Sequence, residues 1–166
     1  MMIPRLVPAV AALVLLVVAC AGPAAEAPSG SQVVAELADY KITVNVPSVK
    51  AGSIKIGVRN LGTMEHSFQV IKTDLAPDKL PTDGASAKAK EDGKVGEIAS
   101  IPAGKSAAVT LDLAPGKYVL ICNVAGHYQL GMHTSFTVDA PLLLFRARHI
   151  SSEGHFRAHS TDMYSP

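Results

Sequence analysis

Between Gln32 and Asp139 the chain alternates short apolar runs with polar breaks at a period that fits strands. Val33–Leu37, Tyr40–Val46, Ser53–Asn60, His66–Thr73, Val95–Ser100, Lys105–Leu113, Lys117–Asn123 and Thr134–Asp139 are enriched in Val, Ile and Thr. Ala51-Gly52, Asn60-Leu61-Gly62, Pro102-Ala103-Gly104 and Ala114-Pro115-Gly116 punctuate them as turns. Period-two alternation is cleanest in Tyr40–Val46, where Lys41, Thr43 and Asn45 are set to face water opposite Ile42, Val44 and Val46. About eight short strands at such spacing predict an all-β, two-sheet Greek-key sandwich. Asp74–Lys94 breaks the rhythm with Lys, Asp, Ala, Pro and Gly. It is expected to be the long solvated connection of a Greek key, without a site, with room for a short exposed helix over Ala85–Asp92.

The flanks differ from this patterned region. Residues 1–20 hold Arg5, an apolar run from Leu6 to Ala19, and Cys20. The run falls short of the roughly 20 residues that span a bilayer and has the form of a secretory signal. Val17-Val18-Ala19-Cys20 resembles a bacterial lipobox, which would make Cys20 the lipidated first residue of the mature protein. Cleavage near Ala21 and an uncleaved anchor are the alternatives. Residues 21–31, rich in Ala, Pro, Gly and Ser, are expected to form a flexible tether. The patterned domain is assigned to 32–139. Residues 140–166 carry Arg146, Arg148 and Arg157 where the domain uses ten Lys and only Arg59. His149, His155 and His159 match no defined metal spacing, and this segment is expected to be a poorly ordered tail.

Composition narrows the function. Removing residues 1–19 leaves 14 basic against 14 acidic side chains, so nothing electrostatic draws the domain to nucleic acid. Of the two cysteines, Cys20 ends the apolar run and Cys122 lies in a loop of metal-binding character, which argues against their pairing. That loop, Cys122 to Met132, offers a thiolate, an imidazole at His127 and a thioether in the spacing Cys-x4-His-x4-Met. Such donors suit copper that cycles between two oxidation states, with a second His required from elsewhere. Strand alternation nominates His66, which shares a face with Phe68 and Val70. The same rule places Tyr118, Leu120 and Cys122 together, facing inward. Gly126 and Gly131 each precede a donor and let the loop turn tightly.

Residues 32–139 resemble a cupredoxin, the domain of the type 1 blue copper proteins. The resemblance rests on Asn60-Leu-Gly-Thr-Met-Glu-His66-Ser-Phe68 and on Tyr118-Val-Leu-Ile-Cys122, His127 and Met132. The loop spacing is similar to that of rusticyanin and sulfocyanin. It implies one copper, with His66, Cys122 and His127 as equatorial ligands and Met132 as the axial one. It further implies single-electron transfer without substrate turnover and redox partner proteins docking near His127; together with the lipobox-like Val17–Cys20, the expectation is an extracytoplasmic monomer held to the membrane through Cys20. A copper carrier or buffer of the same fold is the first alternative. A fragment-like relative of a copper oxidase or nitrite reductase is the second. Three positions depart from the family pattern: Ser67 replaces a bracing Asn, Ala125-Gly126 replaces Pro-Gly, and His133 is additional. Alternation turns His133 away from the metal. Met64 is assigned to core packing near the site rim.

Overall fold

A computed structural model describes residues 25–141. The signal segment with Cys20, the first part of the tether and the tail from 142 onward lie outside the described residues. The described chain contains no helix and folds as eleven strands. They are β1 (Val33–Ala38), β2 (Lys41–Val44), β3 (Ser48–Lys50), β4 (Gly52–Asn60), β5 (His66–Lys72), β6 (Thr82–Asp83), β7 (Lys88–Ala89), β8 (Lys94–Ile101), β9 (Ser106–Leu113), β10 (Gly116–Ile121) and β11 (His133–Asp139).

One sheet has the order β2-β1-β4-β9 and the other β3-β11-β10-β5-β8. The chain changes sheet after β2, β3, β4, β8 and β9, so neighbours in sequence are repeatedly separated in space, as a Greek-key sandwich requires. The pairings β1/β4 and β3/β11 are parallel, and the other strand pairs are antiparallel. Alternating residues from both sheets fill the space between them. Val33, Ala35, Leu37, Ile54, Ile56 and Val58 come from the first, and Phe68, Val70, Tyr118, Leu120, Phe136 and Val138 from the second.

The alternation predicted for 41–46 holds, since Ile42 is buried between exposed Lys41 and Thr43. β5 behaves differently: all of its first six residues are buried, on both faces. The cause is the 74–94 excursion. Over Ala85–Asp92 it forms no helix; β6 and β7 pair as a small hairpin instead, with Ala87 in the left-handed region at φ 53°. Gly84 and Asp83, whose carboxylate accepts from the Ala85 amide and the Ser86 hydroxyl, favour a turn over a helix start. Leu80 and Ala89 from this excursion pack on Ile71, Val119, Ile121 and Tyr128, making a second apolar cluster on the outer face of the second sheet. The expected solvated connection is therefore partly core.

Residues 25–31, the described part of the expected tether, lie along the first sheet. Arg59 donates to the Ala25 carbonyl, Lys55 to that of Ser29, and Ser31 packs over Gly57, where any side chain would collide with its hydroxyl.

Candidate metal centre

His66 opens β5 directly after the loop 61–65, and that loop is built around Asn60. The Asn60 side chain is fully buried and uses every polar group it has. Its amide donates to the carbonyls of Met64 and Ile101 at 2.7 and 2.8 Å, and its oxygen accepts the Gly62 N–H at 2.9 Å. Opposite Ser67, β8 carries one extra residue, because His66 pairs with Ile101 whereas Phe68 pairs with Ile98. A bulge of this kind re-aims the side chains beside it. It lies where His66 turns into the interior.

Cys122 directly follows β10 and points into the main core, as the alternation of Tyr118 and Leu120 predicts. Its amide donates to the Met132 carbonyl, and the Met132 amide donates to the carbonyl of His127, so backbone bonds close the loop on itself. Gly126 and Gly131 sit at φ 82° and 100°, which permits these tight turns. His127 is thereby folded back over Cys122. The Met132 side chain is fully buried in the same cluster as Cys122.

The three donors from two distant stretches converge. His66 Nδ1 lies 3.2 Å from His127 Nδ1, and Cys122 Sγ lies 3.8 and 3.5 Å from those two nitrogens. A point equidistant from the three atoms is about 2.0 Å from each, the length of an imidazole–metal bond and a little under that of a thiolate–metal bond. His66 and Cys122 are inaccessible to solvent, while His127 retains 8% exposure. Burial, reinforced by the neighbouring His66, holds the His127 imidazolium below the ordinary histidine range, so at neutral pH its ring is free to ligate. A buried thiol and two imidazoles facing one point, with the Met132 thioether in the same apolar cluster as the thiol, match the donor set of a type 1 copper site.

Several residues around the donors carry no signal in strand periodicity. Ser67 does brace the ligand strands. Its hydroxyl accepts the Asn123 N–H at 3.0 Å and donates to Gln69, and its own amide donates to Cys122 Sγ at 3.4 Å. Asn123 bonds both the amide and the carbonyl of Ala89 and reaches Glu91 at 2.8 Å, joining the Cys122 loop to the excursion. The Tyr128 hydroxyl, raised in pKa chiefly by burial, accepts the Leu80 N–H and donates to the Pro77 carbonyl, both at 2.8 Å. Asp39 accepts from His66 Nε2 at 3.2 Å, and the Tyr40 ring meets His127 edge-on at 5.3 Å between centroids. His133 is outside the donor group and rests against Tyr128, with ring centroids 5.1 Å apart. Met64 is half-buried, and its carbonyl serves Asn60.

No protein-family model matches the chain, and no curated protein sequence does. Among solved structures, dithionite-reduced auracyanin from Roseiflexus castenholzii aligns at 22% identity over 63% of this chain and 94% of that one, with a TM-score of 0.47. Auracyanin B aligns at 22% identity over 63% and 86%, with a TM-score of 0.48. Rusticyanin from Thiobacillus ferrooxidans aligns at 20% identity over 64% and 75%, with a TM-score of 0.45. The chemistry of the site stands on its own donor geometry.

Proposed function

We propose that this chain is a type 1 copper protein that carries single electrons between extracytoplasmic or membrane-bound redox proteins. The observation that carries the reading is the buried triangle of His66 Nδ1, His127 Nδ1 and Cys122 Sγ. A copper ion held by these donors and Met132 would supply a one-electron couple between Cu(II) and Cu(I). The chain's own contribution is rigidity. His66 is fixed by β5 and Asp39, Cys122 by the end of β10, and His127 by the amide bonds of its loop. Donors that cannot relax favour neither oxidation state's preferred geometry, which keeps reorganisation small. The Ser67 amide on the thiolate sulfur and the dry surroundings of Cys122 are the levers that set the potential, together with Met132.

Docking of the redox partners beside His127 is supported by its position. It is the donor nearest to solvent, and Tyr40, Leu61 and Leu130, which are 40%, 44% and 61% exposed, sit on loops that carry or adjoin the ligands. A small apolar contact of this kind suits a transient electron-transfer encounter.

The full chain loaded with Cu(II) is expected to show intense visible thiolate-to-copper absorption and reversible one-electron titration, and Cys122→Ser to abolish the absorption. A colourless copper-loaded protein, or a Cys122→Ser variant that keeps the band, overturns the assignment. A bound metal that does not cycle reversibly points to a copper carrier instead. Membrane attachment through Cys20 rests on the lipobox-like Val17–Cys20. Cys20→Ser is expected to move the protein from the membrane to the soluble fraction of expressing cells. Retention at the membrane would refute a lipid anchor there.

A further inference from the structure

The two-residue turn between β1 and β2 touches both histidines: Asp39 bonds His66 and Tyr40 abuts His127. Nothing in the local sequence requires this, since the turn is 27 residues from His66 along the chain. Asp39 is held in place by Thr63, whose amide reaches both carboxylate oxygens at 3.0 and 3.2 Å and whose hydroxyl donates to Oδ2 at 2.7 Å. Oδ1 is left directed at His66 Nε2. The space around this bond is closed by Gly62. A Cβ there would collide with Asp39 Oδ1 and come within 3.0 Å of His66 Nε2. Gly62 does not have a positive φ, so its lack of a side chain answers to space and not to backbone conformation.

We propose that Asp39 is a positioning residue for the copper centre. Its carboxylate keeps the His66 proton on Nε2, presents Nδ1 to the metal, and through its negative charge favours Cu(II) over Cu(I). The inference rests on the copper reading for its redox half. The tautomer half stands independently of any metal. With Nδ1 facing Cys122 and His127, the ring has one nitrogen left for its proton, and Asp39 is the acceptor aligned with it. A carboxylate behind a ligating imidazole fixes the ring and raises its basicity, and loss of such a partner typically weakens metal binding 10- to 100-fold. The proton stays on Nε2 in both oxidation states, so the electron delivered by the redox partner is the only particle that moves. Among the described residues no carboxylate bonds His127. The two imidazoles are therefore inequivalent, one tethered to a charge and the other presented to the surface.

The test combines nitrogen-15 NMR of the metal-free full chain with potentiometry of the copper-loaded chain. The wild type is expected to hold His66 as the Nε2–H tautomer, and Asp39→Ala to admit the Nδ1–H form. Asp39→Asn keeps an acceptor for Thr63 and His66 but removes the charge. It is expected to weaken Cu(II) relative to Cu(I) about tenfold, which corresponds to a rise of roughly 59 mV for a one-electron couple. Gly62→Ala, which pushes the carboxylate off the ring without altering it chemically, is expected to shift the potential in the same direction. A wild-type His66 in the Nδ1–H form overturns the proposal, and so does an Asp39→Asn protein with an unchanged potential. Absence of the charge-transfer band in the wild type refutes the type 1 copper reading, and the tautomer then decides the role of Asp39 alone.

Discussion

Asn60 shows how one side chain fixes a ligand it never touches. It bonds three backbone groups, and in doing so sets the path from β4 to His66. Asn60→Ala takes this partner from all three groups, of which the Ile101 carbonyl is buried and the other two half-buried. Each costs about 1–3 kcal/mol, and relaxation of the loop lets water reach some of them, so a loss of roughly 2–4 kcal/mol is expected. Urea unfolding with an unchanged m-value and a lower midpoint would register it. A loss below about 0.5 kcal/mol, the size of an ordinary surface substitution, would show that the loop is held by other means. At this scale the donors were legible and their supports were not. Cys122, His127 and Met132 announce themselves by spacing within one loop, and His66 by its place on an alternating strand. Asn60, Asp39 and Tyr128 act through partners 2 to 51 residues away, and such pairings leave no periodic trace.

Among the elements, the 74–94 excursion departs most from its sequence character. Its Lys, Asp and Gly content reads as solvated loop, yet Leu80 and Ala89 are buried and Asn123 and Tyr128 clasp it. Composition averages over a segment, whereas burial is decided by a few residues that find an apolar face to cover. Glu91 fastens the end of this excursion. Burial alone would raise its carboxyl, but hydrogen bonds from Lys94 and Asn123 outweigh that and hold it below the ordinary glutamate value of 4.5. A carboxyl depressed by folding contributes stability that is complete above its unfolded value and disappears as pH falls through the lower folded value. Wild type is therefore expected to lose thermal stability below about pH 4.5 more steeply than Glu91→Gln, as followed by melting curves across pH 3 to 7. Parallel curves would show that Glu91 makes no net contribution.

For the molecule as a whole, the donors tie together parts of the chain that are far apart in sequence, β5 with the β10–β11 loop, at one end of the sandwich. A metal bound only by the folded state stabilises it by mass action, about 4 kcal/mol at a thousandfold excess over the dissociation constant. For a domain near this size that corresponds to a rise in melting temperature on the order of 10 °C or more. Calorimetry with and without a copper chelator should show the difference in wild type, and it should vanish in Cys122→Ser. An equal chelator effect in both proteins would place the metal elsewhere.

By itself the sequence determined the all-β class, the inward faces of β5 and β10, and which side chains converge as candidate donors. Each of these depends on interactions between near neighbours in the chain: two-residue alternation, turn residues at strand ends, and donor spacing inside a single loop. Only the tertiary structure decided that the 74–94 excursion covers a second apolar face, that Asn60 and Ser67 brace the ligand strands, and that the β1–β2 turn reaches both histidines. Those arrangements follow from how two twisted sheets and their connections pack. That packing juxtaposes Asp39 with His66 although no local pattern links them.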